Sequence, residues 1–241
     1  MTALARPCVY LVTDRRALAP EARTAADEVA ALERWLDDAI DAGIDVIQLR
    51  ERDLDASLLC ACAKRVAERA RARQTLVLVN DRADIAVASA ADGVHLRASS
   101  APDVRVRAMA AAGWVIGRSV HAAAEAAAHA TVDYVMFGTM FAGGSKPAGS
   151  PVQGVDALSR AVGATPVPVI AIGGITPERA RECAAAGAAG VAGIGVFLPE
   201  GRVAGALGPA RAAAALRASF TEGLDVRRAR SASLPLSIPP C

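Results

Sequence analysis

The sequence has few aromatic residues, few lysines and no long apolar stretch. Aromatic side chains account for 3% of the 241 residues, and the 27 basic residues include only two lysines. No apolar run approaches the roughly 20 residues that a membrane-spanning helix requires. The N-terminal stretch also lacks the apolar core and cleavage site of a secretory signal. We therefore expect a cytoplasmic protein that does not enter a membrane.

Cysteine pairs and an excess of charge of one sign are also missing. The five cysteines form no Cys-x-x-Cys pair, so we expect free thiols and no zinc site. Acidic and basic residues are interspersed and leave a net charge of +2, which provides no broad positive field for a nucleic acid. Because 53% of the residues are hydrophobic, the chain has enough apolar material for one large core.

The sequence does contain a repeated alternation of short β-branched runs and Ala-rich segments with helical spacing. Near-continuous apolar strands indicate burial on both faces, as in a parallel sheet. Eight such units predict an α/β protein with a (β/α)8 TIM barrel; the alternative is a doubly wound open sheet, whose Gly-x-Gly-x-x-Gly signature is absent. We expect one barrel domain over residues 1–220, with a last helix over 204–219, and a basic, Ser/Pro-rich tail over 221–241. The predicted strands are 9–13, 46–49, 76–79, 93–96, 115–116, 134–137, 167–172 and 190–194.

In such a barrel the functional groups lie where the strands end, because the loops that follow converge on one face. Gly173 and Gly174 follow the predicted seventh strand, and Gly193 and Ile194 follow the eighth. Glycine amides can approach an anion closely, and a following helix adds aligned dipoles. These residues predict a phosphate site; the alternative interpretation is that the glycines close tight turns.

Three further positions carry candidate chemistry. Asp81, next to Asn80 at the end of the third strand, could hold a magnesium ion that carries a diphosphate, or it could cap a helix or pair with an arginine. Lys146, in a long Gly/Pro-rich loop, is a candidate anion ligand or a solvated surface lysine. His121, after the fifth strand, is a candidate general acid or base because imidazole titrates near neutrality; a structural role is the alternative.

Taken in order, these strand ends resemble the thiamine phosphate synthase/TenI family. The resemblance covers residues 10–197 and most of the chain. It implies a (β/α)8 barrel that acts on phosphorylated thiazole or pyrimidine precursors of thiamine. The matching segments are YLVTD at 10–14, QLRERD at 48–53, VNDR at 79–82, ADGVHL at 91–96, DYVMFG at 133–138 and VIAIGGI at 169–175.

Several residues of this sequence differ from the pattern of the family's synthase branch, and these differences bear on which of two activities we expect. In synthases, a magnesium-bound pyrimidine diphosphate loses pyrophosphate, and the thiazole nitrogen attacks the resulting carbocation. Here Arg52 stands in place of the family's lysine, and Arg97 and Ala98 stand in place of a glycine and a glutamine. Ser100 stands where the family has its second magnesium aspartate. Loss of one of two carboxylates is expected to weaken magnesium binding.

The segment GRSVH at 117–121 is similar to the TenI branch. We therefore expect a TenI-like thiazole tautomerase, an isomerase that converts a carboxythiazole phosphate tautomer to its aromatic isomer. His121 would be the catalytic acid/base, and no metal cofactor would be required. The resemblance also implies substrate binding by Gln48, Arg50, Asn80, Arg118, Ser119 and Lys146, and phosphate binding by Gly173, Gly174, Gly193 and Ile194.

Two alternatives stay open. Asp81 retains the synthase Asn-Asp pair, so a magnesium-dependent thiamine phosphate synthase with Asp81 as metal ligand is the first. A catalytically silent regulator that binds thiamine intermediates is the second. The expected partner is a phosphorylated thiazole substrate, and the Ala-rich outer helices would permit a homodimer.

Overall fold

Eight parallel strands form a closed barrel in which each strand pairs with the next and β8 pairs with β1. The computed structural model describes residues 4, 7–129, 131–143 and 151–232. Closure of the sheet confirms the predicted (β/α)8 barrel, and the doubly wound alternative is wrong. The strands are β1 (Cys8–Val12), β2 (Val46–Leu49), β3 (Leu76–Asn80), β4 (Gly93–Leu96), β5 (Val115–Val120), β6 (Tyr134–Gly138), β7 (Val169–Ile172) and β8 (Gly190–Gly193).

Helices cover the outside of the barrel and several begin at polar capping residues. They are α1 (Arg15–Leu18), α2 (Ala25–Asp41), α3 (Ala56–Arg71), α4 (Ala83–Ala88), α5 (Asp103–Met109), α6 (Ala123–Ala128), α7 (Gly154–Ala164), α8 (Pro177–Ala185) and α9 (Pro209–Ala232). Thr24 and Asp27 form a reciprocal capping box at the start of α2. Among the described helices, none is long and apolar enough to cross a membrane.

Two apolar layers form because side chains alternate in direction along a strand. Outward-facing residues such as Leu11 and Ile47 pack against the helices, whereas Tyr10, Leu78 and Ile170 fill the barrel interior. The barrel is therefore a packed core rather than a channel, and the polar groups that a ligand can reach lie at the strand ends.

Gly117 makes room for a tyrosine inside the barrel. A Cβ atom at position 117 would lie 2.0 Å from Cζ of the Tyr134 ring. The Tyr134 side chain is completely buried, so its hydroxyl group needs hydrogen-bond partners within the barrel.

Two elements are longer than the sequence pattern predicted. β5 extends to Val120, because the strand continues its pairing with β6 over residues 117–120. The sequence pattern ended the predicted strand at residue 116, since Arg118 and Ser119 interrupt the run of apolar residues. α9 extends to Ala232, although the pattern predicted a helix ending at residue 219 and a tail beginning at 221. Residues 233–241 of the predicted tail lie outside the described residues.

Candidate functional site

Polar side chains from four neighbouring strands meet at the C-terminal end of the barrel. β2 contributes Gln48, β3 contributes Asn80, β4 contributes His95 and β5 contributes Ser119. Strand pairing places Asn80 directly beside His95, and Gln48, Asn80 and His95 are buried. The structure therefore brings together three residues that the sequence predicted to bind substrate, and adds a histidine.

Hydrogen bonds link these residues through two tyrosines in the barrel interior. Nε2 of His95 lies 2.8 Å from Oγ of Ser119, and Nδ1 lies 2.8 Å from the hydroxyl of Tyr134. The Tyr134 hydroxyl in turn lies 2.8 Å from the hydroxyl of Tyr10. All three rings are buried, so the bonds are shielded from water and strengthened by the low dielectric.

The hydrogen bond between Tyr10 and Gln48 fixes which group donates in each of these bonds. The Tyr10 hydroxyl donates its one proton to Oε1 of Gln48 at 3.1 Å, so the Tyr134 hydroxyl must donate to Tyr10. The Tyr134 oxygen then accepts from Nδ1–H of His95, which leaves Nε2 as the acceptor for the Ser119 hydroxyl. His95 is therefore neutral in this arrangement.

Burial supports the neutral state of His95. Loss of hydration, followed by the nearby charge of Arg118, lowers the pKa of His95 to about 3. At the far end of the chain, Nε2 of Gln48 donates to Oδ1 of Asn80 at 3.0 Å. The network thus holds Gln48, Asn80 and Ser119 in set orientations, which suits hydrogen bonding to a polar heterocycle.

His121 lies immediately after β5, and the backbone orients its ring. Nδ1 donates to the carbonyl oxygen of Gly138 at 2.6 Å, since a carbonyl oxygen can only accept. The amide of His121 donates to Oε2 of Glu125 at 2.7 Å. In the neutral ring Nε2 is the basic nitrogen, so this side chain has the form that an acid/base role requires.

A cleft of about 210 Å³ lies between the loops that follow β2, β3 and β4. Its lining residues are Glu51, Arg52, Leu54, Leu59, Asn80, Asp81, Arg82 and Arg97. His121 does not line this cleft. The carboxylate of Glu51 is buried and bonded to Arg15, so Asp81 is the lining carboxylate of interest.

Asp81 is paired with an arginine from the neighbouring loop. Oδ2 of Asp81 accepts from Nε of Arg97 at 2.6 Å, and Oδ1 accepts from the hydroxyl of Ser100. Burial, and then the positive charges of Arg50 and Arg97, lowers the pKa of Arg52. The lining therefore holds three arginines, Arg52, Arg82 and Arg97, and two carboxylates, Glu51 and Asp81, that are each paired with an arginine. The excess of positive charge favours an anionic ligand.

These residues do not fit the magnesium ion that the family resemblance implies. Magnesium takes six oxygen ligands, of which proteins usually supply one or two carboxylates. Both oxygens of Asp81 already accept hydrogen bonds, and Ser100 offers only a neutral hydroxyl. Over the residues that the structure describes, no three His, Cys, Asp or Glu side chains are grouped so as to hold a metal.

Arg118 was predicted to bind substrate, and that role stays a prediction; in the fold its side chain is directed toward the loop after β4. On β5 this residue points outward, since its strand neighbours face the barrel interior. Its buried guanidinium donates to the backbone carbonyl oxygens of Arg97 at 3.1 Å, Ala98 at 3.2 Å, and Ala101. Arg118 therefore holds the loop after β4, and it affects the cleft through that loop.

The glycines after β7 and β8 occupy neighbouring strand ends. Gly173 and Gly174 have φ angles of +105° and +63°, and a Cβ at Gly174 would lie 2.7 Å from the carbonyl oxygen of Phe141. Turn conformation and close packing therefore require both glycines, as the alternative interpretation held. Binding of phosphate there, with Gly193 and Ile194, stays a prediction.

Arg50 and Lys146 are the two remaining residues that were predicted to bind substrate. Arg50 follows β2, its amide donates to Oγ1 of Thr13 at 2.9 Å, and its charge acts on both Arg52 and His95. It therefore lies near both of these residues without lining the cleft, and its binding of substrate stays a prediction. Lys146 lies outside the described residues, so its role stays a prediction.

Sequence reasoning did not assign roles to His95, Tyr134 or Arg97. His95 was visible as a strand-end histidine, but its link to Tyr134 joins residues 39 apart in the chain. For Arg97 the available signal was its departure from the family pattern. The pairing partner of that arginine could be identified only from the fold.

Comparison with known proteins supports one family. The sequence profile of a family described as thiamine monophosphate synthase matches residues 9–197. The thiamine-phosphate synthase of Methanocella arvoryzae is 40% identical over 164 residues, which cover 67% of this chain and 77% of that protein. The thiamine-phosphate synthase of Anaeromyxobacter dehalogenans is 38% identical over 193 residues, with 79% and 84% covered.

A solved structure is similar over nearly its whole length. Thiamine phosphate pyrophosphorylase from Pyrococcus furiosus has a TM-score of 0.73 and 30% identity to this chain, and the match covers 90% of this chain and 97% of that one. The names of these relatives favour the synthase alternative over the tautomerase that the sequence led us to expect.

Proposed function

The chain belongs to the thiamine monophosphate synthase family, and from this premise we propose that it is a thiamine-phosphate synthase. Such an enzyme joins a hydroxymethylpyrimidine diphosphate to a thiazole phosphate. The bond between the pyrimidine methylene carbon and the diphosphate oxygen breaks, and its electron pair leaves with pyrophosphate. The lone pair of the thiazole nitrogen then forms the new carbon–nitrogen bond, which makes that nitrogen quaternary without a proton transfer.

The observation that carries this proposal is the arginine-lined cleft beside the polar network. A departing pyrophosphate gains negative charge, and fixed positive charges stabilise it more in the transition state than in the ground state. Arg52, Arg82 and Arg97 line the cleft and supply such charges, and Arg50 acts electrostatically on Arg52 from the same loop. Gln48 and Asn80 lie next to them and present oriented amide groups to the ring of a pyrimidine.

The barrel topology also suits two anionic substrates. In the closed strand order, β7 and β8 lie across the barrel from β3 and β4. A thiazole phosphate bound at Gly173, Gly174, Gly193 and Ile194 would therefore extend its ring toward the pyrimidine from the opposite side. This arrangement brings the nucleophile and the carbon centre together, while it keeps their phosphate groups apart.

A tautomerase is the second candidate, and one observation favours it. Asp81 is paired with Arg97, whereas the Gly138 carbonyl oxygen holds the ring of His121 in a fixed orientation, as proton transfer between two ring carbons needs. In this reaction His121 would remove a proton from one carbon at Nε2 and return a proton to another, and aromatisation would supply the driving force.

Proton NMR of one sample can distinguish these functions. The carboxythiazole phosphate tautomer is incubated with the protein, and thiazole phosphate without the carboxylate is then added together with the pyrimidine diphosphate, once with magnesium and once with EDTA. Our proposal expects a thiamine phosphate product after the second addition under at least one metal condition. Aromatisation before that addition, with no coupled product later, would establish the tautomerase. If neither reaction occurs but the substrates raise the melting temperature, the chain is a silent binder.

A further inference from the structure

Asp81, the carboxylate that the resemblance assigns to magnesium, forms an ion pair with Arg97 of this chain. Nε of Arg97 donates to Oδ2 of Asp81 at 2.6 Å, and a second guanidinium nitrogen contacts the same oxygen. Ser100, at the position of the family's second aspartate, donates its hydroxyl to Oδ1. A metal ion at Asp81 would have to compete with these donors for the carboxylate lone pairs, and it would face the positive charge of Arg97.

Further bonds keep Arg97 at this position. Its amide donates to Oγ of Ser100 at 2.8 Å, and its carbonyl oxygen accepts from the buried guanidinium of Arg118 at 3.1 Å. Asp81 is held as well, because its amide donates to the carbonyl oxygen of His95 at 2.9 Å. The backbone on both sides of the ion pair is therefore anchored to the barrel.

The cleft carries excess positive charge without any metal. The lining pairs Arg97 with Asp81, Arg82 is paired with Asp84, and Glu51 is paired with Arg15. Arg52 of the lining adds a further positive charge, and Arg50 acts on it electrostatically. Burial, followed by the nearby positive charges of Arg50 and Arg97, lowers the pKa of Arg52. A bound polyanion would relieve this repulsion, so the cluster favours a ligand with several negative charges.

We infer that this cleft binds a diphosphate group through arginines alone, with Arg97 taking the place of the divalent cation. The inference rests on the proposed function for the nature of the ligand. Arginine has five N–H donors, which are more than the contact with Asp81 uses, and its planar group can bond two phosphate oxygens at once. Binding of a diphosphate to this chain therefore requires no magnesium.

Calorimetric titration of the full chain with inorganic pyrophosphate in EDTA tests the inference directly. We expect saturable binding in EDTA, and a loss of affinity of about tenfold or more for Arg97→Gln, as for the loss of a charge-assisted hydrogen bond. Arg65→Gln is the matched control. Arg65 is also an arginine paired with an aspartate, with 44% of its side chain exposed against 48% for Arg97, but it lies on the outer helix α3. Binding that appears only with magnesium would overturn the inference.

A reverse variant adds a second, independent readout. The double change Arg97→Gly and Ser100→Asp restores the family's residues at both positions. We expect this variant to bind Mn²⁺ in an electron paramagnetic resonance titration without other ligands, and to bind pyrophosphate only when a divalent ion is present. The unchanged chain should leave Mn²⁺ free under the same conditions. Stoichiometric Mn²⁺ binding to the unchanged chain would contradict our inference.

The coupling assay separates this inference from the proposed function. If pyrophosphate binds in EDTA and no thiamine phosphate forms with either metal condition, the inference stands and the proposed function fails. If thiamine phosphate forms only with magnesium and pyrophosphate does not bind in EDTA, the proposed function stands and the inference is overturned.

Discussion

The hydroxyl of Ser119 donates to Nε2 of His95 across 2.8 Å, so the imidazole decides where the serine proton points. Because Nδ1–H of His95 is committed to Tyr134, Nε2 can only accept. The lone pairs of the Ser119 oxygen are then left for a ligand donor, such as an exocyclic amino group. His95 is therefore a positioning residue that touches the site through Ser119.

Stability should fall at acidic pH because His95 is buried without charge. Its pKa is about 6.5 in the unfolded chain and about 3 in the folded protein, so the unfolded state binds more protons between these values. The contribution of His95 to the free energy of unfolding is then complete above pH 6.5 and is lost as the pH falls toward 3, by at most about 1.4 kcal/mol per pH unit. Urea unfolding at about pH 7 and about pH 5 measures this loss. A His95→Gln variant should lose less stability over that interval; equal losses would refute the assignment.

The two buried tyrosine hydroxyls should behave as a coupled pair. Tyr134→Phe leaves Nδ1–H of His95 without an acceptor, so we expect a loss of about 1–3 kcal/mol in the free energy of unfolding. Tyr10→Phe should cost a similar amount, because it leaves the Tyr134 hydroxyl without its acceptor. The double variant should lose less than the sum, since the bond between the tyrosines is counted in both single changes. Strict additivity in denaturant unfolding would argue against the hydrogen-bond chain.

His121→Asn discriminates between the two candidate activities. If the tautomerase is the function, loss of a general acid/base should reduce aromatisation by about 10²–10⁴-fold while substrate affinity changes little. If the protein is a synthase, we expect coupling within a few fold of the unchanged chain, because that reaction transfers no proton. Proton NMR gives both rates, and His129→Asn, which changes a partly buried histidine bonded to Asp103, serves as control.

Arg118 should act through the loop after β4. Arg118→Lys keeps the positive charge but cannot reach three carbonyl oxygens with a fixed planar fork. We expect a loss of about 1–3 kcal/mol in the free energy of unfolding together with weaker binding of pyrophosphate. Chemical unfolding and calorimetry test both effects. Unchanged stability with weaker binding would instead support the direct substrate contact that the sequence predicted.

Gly174→Ala tests the turn after β7 against a matched glycine. Gly43 has a similar φ angle, +73° against +63°, but a Cβ there meets no atom within 4 Å, whereas at Gly174 it would lie 2.7 Å from Phe141. We expect Gly43→Ala to cost about 1–2 kcal/mol for the left-handed conformation, and Gly174→Ala to cost about 1–3 kcal/mol more for the clash. If the phosphate site is also correct, only Gly174→Ala should weaken binding of thiazole phosphate in calorimetry.

Much of the fold could be predicted because parallel strands buried on both faces have a distinct apolar pattern. Strand β5 shows where that signal ends. Its C-terminal half contains Gly117, Arg118 and Ser119. Since these residues are not apolar, the pattern of buried apolar strands did not reveal that the strand continues through them. Helix α9 shows the same limit, because the basic residues from 226 to 230 read as a tail although the helix continues through them.

The amino-acid sequence by itself determined the eight βα units, the strand ends as the place of the chemistry and the residue types found there, since all of these follow from local periodicity and motif order. The tertiary structure alone decided that Arg118 is directed toward the loop after β4 and that Arg97 forms an ion pair with Asp81. Both depend on the direction of side chains and on contacts between separate loops. The reason is physical: the partner of a charge is set by distance in space, and Asp81 and Arg97 become neighbours only when β3 and β4 pair.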